Sequence, residues 1–120
     1  MCYTKVDRCP GLDHRIAVVQ VSEKLIRFYF PDGERERAVA VAWKVSGMDP
    51  GMYDLNGSHG YGLFALHPFE AGLSGHQGSL LYSSVRNVAA AYRLWKQLGW
   101  ERWPEPDPPD VPALPPVEGV

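Results

Sequence analysis

Six side chains that could transfer a proton or bind a metal lie in the middle of the chain: Asp49, Asp54, His59, His67, Glu70 and His76. The spacing of the histidines does not match a zinc site, and no set of four zinc ligands can be assembled from the sequence. Glycine and proline surround all six positions, so surface loops are their expected location. We therefore predict no metal, no cofactor and solvated acids, and leave open that His59 or His67 lines a binding cleft.

An amphipathic helix is predicted on each side of this middle region. Apolar residues recur at the i, i+3, i+4 spacing in residues 34–46 and 84–98, the pattern of a helix with one buried face. Asp32 suits the N-cap of the first helix, and a serine precedes the second. Gly47 and Gly99 stand where glycine commonly ends a helix. The side chains expected to share one core or cleft wall are Val41, Val45, Val88, Tyr92 and Trp95.

The remaining segments are less distinctive. Residues 16–30 begin with the β-branched run IAVVQV, which is typical of a strand, but Ser22 resembles a helix start, so both interpretations stay open. Residues 49–62 are rich in glycine and proline and predict turns or a short hairpin. Residues 70–79 predict a second glycine-rich loop. The predicted fold class is therefore mainly α, with α+β character from the turn or hairpin element.

Three stretches occur in the order helix end, loop and helix: VAWKVSGMDP, GYGLFALHP and NVAAAYRLWKQLGWERW. In this order they resemble the lysozyme-like superfamily, in particular its lytic transglycosylase and phage muramidase domains. In that family the first helix ends in Glu-Ser-Gly with a proline soon after, and a loop leads to Gly-Leu-Phe-Gln or Gly-Leu-Met-Gln. A later helix carries Ala-Ala and ends in Gly-Trp. The resemblance covers about residues 32–103 and implies a lysozyme-like domain whose turn or hairpin element borders a cleft.

The chain departs from this family at the positions that carry its chemistry. The family's catalytic glutamate falls on Val45, and its glutamine after Leu-Phe falls on Ala65. Glycan cleavage requires a proton on the leaving oxygen, and valine has none to give. Losing a general acid costs roughly 10² to 10⁴ in rate. The resemblance therefore implies no catalytic residue, with Asp49, Asp54 and Glu70 as weak substitutes.

The resemblance also implies a glycan-binding cleft, whose expected residues are Ser46, Tyr53, His59, Tyr61, Gly62, Phe64, Ala65 and His67. Tyr53 and Tyr61 border this cleft and could stack on a sugar ring. Phe64 is expected to pack in the core instead. A basic run around the last helix is interpreted as a solvated face: Arg86, Arg93, Lys96 and Arg102.

Composition limits the partners. Of the 120 residues, 45% are hydrophobic and 22% charged, which indicates one globular domain. A net charge of -2 argues against nucleic-acid binding, which usually requires a basic face. No apolar run is long enough to span a membrane. The start, MCYTKVDRCPGLDHR, lacks the apolar region of a secretory signal, so we expect a protein that is virion-associated or stays cytoplasmic until lysis.

Three parts of the chain are distinguished: an N-terminal segment, 1–31, packed on the domain; the lysozyme-like domain, 32–103; and an extended tail, 104–120. The tail is rich in proline, which excludes helix and central strand, and could dock along a protein partner. Cys2 and Cys9 are expected to be free thiols, with a local disulfide left open.

The sequence thus favours a catalytically degenerate lysozyme-like protein, a cell-wall binding or structural component of a phage or phage-derived particle whose ligand is the peptidoglycan glycan strand. One alternative is an active muramidase or lytic transglycosylase with a non-standard acid. A second is a small phage-encoded protein that binds a host protein. The sequence does not identify the host, the protein partner or the oligomeric state.

Overall fold

The computed structural model describes residues 10–55, 57 and 59–106, with side chains from residue 14 onwards. It contains three α-helices: α1, Pro10–Tyr29; α2, Arg35–Ser46; and α3, Ser84–Leu98. Two 3₁₀ segments, Pro68–Ala71 and Gly75–Tyr82, lie between α2 and α3. The described part of the chain is thus mainly helical, as predicted. Within it, no helix is both long and apolar enough to cross a bilayer.

Helix α1 corrects the open strand interpretation of residues 16–30. Ser22, Ile26 and Phe30 are all buried, and their spacing of four residues places them on one face of a helix. This face packs against α2 and α3. Phe30 stacks on Trp100 with ring centroids 5.6 Å apart. Tertiary burial therefore outweighs the strand preference of the β-branched run. The run is helical even though one of its members, Val21, is exposed and gains nothing from burial.

Helix α2 confirms the helix predicted over residues 34–46, but its N-cap differs from the prediction. Asp32 pairs with the side chain of Arg35 instead of capping, and Glu34 occupies the N-cap without a side-chain bond to the helix. Glu34 instead accepts a 2.7 Å hydrogen bond from Nε1 of Trp100. Gly47 ends the helix in the left-handed conformation, as predicted, with a φ of 64°.

Helix α3 confirms the helix predicted over residues 84–98. The side chain of Ser83 caps it by accepting a hydrogen bond from the backbone N of Arg86. Gly99 follows its last turn.

The core joins all three helices to the turn-rich middle. Val41 and Val88 are fully buried in it, and Val45, Tyr92 and Trp95 pack against it partly buried, which confirms the predicted shared wall. The rings of Phe30 and Tyr92 pack edge to face, with centroids 5.6 Å apart and an interplanar angle of 87°.

The middle of the chain holds two isolated antiparallel bridges and no regular strand within the described residues. Tyr61 pairs with Tyr53 on one side and with Leu66 on the other. These two bridges form a small turn element. The sequence predicted a glycine-rich loop over residues 70–79, and this was wrong for its second half. Residues from Gly75 onwards form the 3₁₀ segment Gly75–Tyr82, which is kinked at Gln77.

Candidate functional site

The end of α2 is tied directly to the Gly-Leu-Phe segment. Oγ of Ser46 donates a 2.8 Å hydrogen bond to the carbonyl of Leu63, and it also lies 2.9 Å from the carbonyl of Ala42. Ser46 is 8% exposed, so its hydroxyl is committed to these backbone partners. Ser46 therefore positions the cleft without lining it, and Val45 next to it is held in a fixed place relative to residues 63–65.

Asn87 anchors the same segment from α3. Its Oδ1 accepts from the backbone N of Phe64 at 2.9 Å, and its Nδ2 donates to the carbonyls of Tyr61 and Leu81 at 2.7 and 3.0 Å. Asn87 is completely buried. A buried amide with this many partners fixes three backbone positions at once. Breaking its bonds to Phe64 and Leu81 would cost free energy, whereas the carbonyl of Tyr61 would keep its hydrogen bond from the backbone N of Leu66.

Glycine is required where the segment turns. Gly62 has a φ of 76°, and a Cβ built there would overlap Nδ2 of Asn87 and lie 2.5 Å from the carbonyl oxygen of Leu81. A Cβ on Gly60 would overlap the carbonyl of Ala65. Gly62 and Phe64 are buried beneath the cleft and do not line it.

An open cleft of about 650 Å³ lies where the end of α2 meets this segment. Its lining residues are Lys44, Val45, Met52, Tyr53, Asp54, Leu55, Ala65, Arg102 and Pro104. Three positions expected from the sequence, Val45, Tyr53 and Ala65, are thus brought together. His59, Tyr61 and His67 do not line it.

Ala65 adopts an unusual backbone conformation for a residue with a side chain. Its φ is 50°, in the left-handed region that favours glycine. Its carbonyl accepts a 2.9 Å hydrogen bond from Nη2 of Arg102. Non-glycine residues in this region carry strain and are concentrated at functional sites, because the surrounding structure must hold them there.

The three candidate acids have separate positions. Asp54 is half-buried and lines the cleft with Val45 and Ala65. Asp49 does not line it, because its Oδ1 accepts from the backbone N of Gly51 at 2.9 Å and closes a turn. Glu70 does not line the cleft and is paired with Arg102, which does. Among the described residues, Asp54 is therefore the one carboxylate that lines the cleft.

Glu70 and Arg102 form a two-pronged ion pair. Nε of Arg102 donates to Oε2 of Glu70, and Nη2 donates to Oε1 at 2.6 Å. Oε1 also accepts from the backbone N of His67 at 2.8 Å. Burial raises the pKa of Glu70, but the hydrogen bonds from Arg102 and His67 and the positive charge of Arg102 outweigh it and leave the pKa below its usual value.

Arg102 corrects the interpretation of the basic run. Arg86, Arg93 and Lys96 are exposed on α3, but only 16% of the Arg102 side chain is exposed. Its guanidinium lies 5.4 Å from the ring centre of Trp103. The sequence placed Arg102 between Trp100 and Trp103, a context that favours a stacked, partly buried arginine. Sequence reasoning also missed Lys44, Met52, Leu55 and Pro104 as cleft residues.

The histidines make separate local contacts. Nδ1 of His59 lies 3.1 Å from the hydroxyl of Tyr53, His67 caps the first 3₁₀ segment, and His76 lies beside Ser74. Within the described residues no three histidines, cysteines or acids are grouped as metal ligands. Cys2, Cys9 and tail residues 107–120 lie outside the described residues.

Comparison of the chain with protein-family models, curated proteins and solved structures finds no match.

Proposed function

We propose that this chain is a catalytically degenerate lysozyme-like protein that binds the glycan strands of peptidoglycan in the cleft and does not cleave them. Its setting, as the resemblance implies, is the cell wall met by a phage or phage-derived particle, with the proline-rich tail as a contact to another component. The proposal joins a sequence resemblance to the arrangement of residues around one cleft.

The observation that carries the proposal is the meeting of Val45 and Ala65 in that cleft. The resemblance assigns these two positions to the catalytic glutamate and its glutamine, and a chain folded as the family is would bring them to one substrate. Ser46 and Asn87, which match the family, are the residues that hold the two segments together. The hydrogen bonds of Ser46 and Asn87 are thus present, whereas the carboxylate and the amide that the family carries at positions 45 and 65 are absent.

The alternative of an active glycosidase is favoured by one observation, the presence of Asp54 in the same cleft. A general acid needs a raised pKa and a position against the leaving oxygen. Among the described residues no second carboxylate lines the cleft, since Asp49 and Glu70 are engaged elsewhere. Binding without cleavage is therefore the function that the cleft supports best.

A matched pair of tyrosines provides the test. Tyr53 and Tyr82 are 39% and 38% exposed, and each contacts the ring of Tyr61 edge to face, but only Tyr53 lines the cleft. In sedimentation with purified insoluble peptidoglycan, Tyr53→Ala should lower the fraction of protein in the pellet, and Tyr82→Ala should leave it unchanged. Equal pelleting of both variants and the wild type would contradict binding through this cleft.

A further inference from the structure

We propose that the proline-rich tail of one copy of this chain, residues 107–120, binds in a groove beside α3 of a second copy. The groove lies between α3 and the two 3₁₀ segments, and none of its lining residues lines the cleft. This inference goes beyond the proposed function, because it concerns a different surface and identifies the component that the tail contacts.

The first observation is the apolar floor of the groove. The groove has a volume of about 220 Å³ and is lined in part by Leu73, Leu81, Val85 and Ala89. Val85 leaves 54% of its surface exposed. A bound segment with apolar side chains would remove this surface from water, which favours association.

The second observation is a pair of arginines that line the same groove. Arg86 and Arg93 are both exposed. They are seven residues apart, close to two full turns, so their side chains leave the same face of α3 roughly 10 Å apart. Neither guanidinium pairs with a carboxylate of the described residues. The groove therefore offers two positive charges to an acidic ligand.

The third observation is the pattern of the tail sequence. The tail has three acidic residues, no basic residue and five prolines, a composition that favours the polyproline II conformation. With three residues per turn and a rise of about 3.1 Å per residue, Asp107 and Asp110 would point the same way, roughly 9 Å apart. Pro108, Val111 and Leu114 recur at the same spacing and would form the neighbouring edge. The tail thus matches the arginines and the apolar floor in spacing and in chemistry.

The fourth observation is the position at which the tail begins. Glu105, two residues before Asp107, pairs with Arg37 at 3.3 Å. Arg37 lies 5.7 Å from the ring centre of Trp100. Trp100 in turn contacts Trp95 of α3, with ring centroids 5.8 Å apart. The start of the tail is therefore held on the side of α3 that carries Trp95.

The two arginines face the opposite side of that helix. Trp95 follows Arg86 by nine residues, which at 3.6 residues per turn is about two and a half turns, so the two side chains point in opposite directions. From Glu105 to Asp107 an extended chain spans at most about 7 Å, less than the helix diameter of about 10 Å. With Glu105 in place, Asp107 does not reach the arginines of its own chain, and a second copy supplies the tail.

A contact of this kind joins copies head to tail. Each copy offers its tail to one neighbour and its groove to another, so the interface is heterologous and leaves one tail and one groove free at the ends of an assembly. Two variants with complementary defects should therefore form a single pair although neither assembles alone.

Sedimentation velocity of the full-length chain without glycan measures this assembly. The average mass of the wild type should rise between about 1 and about 100 µM, as expected for a small, weak contact, and should fall with added salt. Arg86→Glu with Arg93→Glu should weaken association at least about tenfold, because like charges then face each other. Lys24→Glu with Lys96→Glu is the matched control, since it makes the same change of charge at exposed lysines that do not line the groove.

Mixing the variants tests the head-to-tail arrangement. The arginine variant has an intact tail, and Asp107→Lys with Asp110→Lys has an intact groove. Each alone should stay monomeric, and an equimolar mixture should form one-to-one pairs that grow no further. Combining all four changes in one chain reverses both sides of the contact and should restore part of the wild-type assembly.

The outcomes are separate from those of glycan binding. A wild type that is monomeric at every concentration, as it would be if its own tail filled the groove, would overturn the inference and leave the proposed function standing. Assembly that survives the arginine changes, or complementary variants that do not pair, would overturn it as well. If the arginine variant does not fold, the aspartate variant decides: a monomer supports the inference, and assembly like that of the wild type overturns it.

Discussion

Val45, in the last turn of α2, and Ala65, in the following loop, line one open cleft although a long turn-rich segment separates them in the chain. Neither side chain carries a polar atom. Two hydrogen-bonded anchors place these positions together: Ser46, which donates to the carbonyl of Leu63, and Asn87, which binds the backbone of Phe64. Hydrogen bonds therefore hold the two positions in place, and neither side chain offers a group that could transfer a proton.

We predict that Val45→Glu alone restores little or no glycan cleavage, and that Val45→Glu with Ala65→Gln does better than either single change. A new glutamate needs an environment that favours its neutral form and a partner that orients the substrate. Val45 also packs partly against the core, where an unpaired polar group costs roughly 1 to 3 kcal/mol.

The measurement for these variants is the release of soluble muropeptides from purified peptidoglycan. Asp54→Asn in the double-variant background tests whether the remaining cleft carboxylate contributes. Full activity of Val45→Glu alone would show that the rest of a catalytic site is intact. It would contradict the argument that Ala65, which lacks the amide of the family's glutamine, prevents cleavage.

Asn87→Ala should destabilise the fold by about 2 to 4 kcal/mol, because it leaves the N–H of Phe64 and the carbonyl of Leu81 without this partner, removes one of the two donors to the carbonyl of Tyr61 and opens a small cavity. Denaturant unfolding measures this as a lower midpoint with an unchanged slope. Gln97→Ala is the matched control, an exposed amide on the same helix, and should change stability by less than about 0.5 kcal/mol. A similar loss in both variants would mean that Asn87 is not the anchor.

Gly62→Ala should cost clearly more stability than Gly72→Ala. Both glycines have a φ of 76°, so an alanine at either position carries the same left-handed strain, about 1 kcal/mol. A Cβ at Gly72 meets nothing within 4 Å, whereas at Gly62 it overlaps the amide of Asn87. The difference between the thermal unfolding midpoints of the two variants measures the cost of this overlap, because the backbone strain is the same in both. Equal midpoints would contradict the close approach of Gly62 to Asn87.

The ion pair of Glu70 and Arg102 should make stability depend on pH in the acidic range. The folded-state pKa of Glu70 lies below its ordinary value of 4.5, so ionisation favours the folded state above pH 4.5, and this contribution is lost as pH falls through the lower folded-state pKa. The side chains that face Glu70 are the guanidinium of Arg102 and the imidazole of His67.

Glu70→Gln tests this pH dependence. Near neutral pH it should lower the free energy of unfolding by about 1 to 2 kcal/mol, given a partly buried pair. The difference from the wild type should shrink as pH falls below 4.5. A difference that stays constant down to strongly acidic pH would exclude ionisation of Glu70 as its cause.

Helices α2 and α3 were predictable because local and tertiary signals agree in them. Apolar spacing and glycine at Gly47 and Gly99 marked α2 and α3, and the structure confirms both ends. Residues 16–30 were ambiguous because β-branched side chains favour a strand locally. The burial of Ser22 and Phe30 against other helices decides for α1, and this information is not local.

The cleft was predictable only in part, because it too depends on contacts between residues far apart in the chain. Val45, Tyr53 and Ala65 could be named from the order of motifs, but Arg102 could not, since its position depends on Glu70 across 32 residues of chain. Asp32 failed as a cap because a neighbouring arginine, Arg35, competes for its carboxylate.

The most direct test of the central claim is one sedimentation measurement with labelled, insoluble peptidoglycan and the full-length wild-type chain. Protein and label are quantified in pellet and supernatant of the same sample. Binding without cleavage predicts protein in the pellet, reduced by Tyr53→Ala and not by Tyr82→Ala, with no label released. Protein that stays in the supernatant, or label released above the no-protein control, would contradict it.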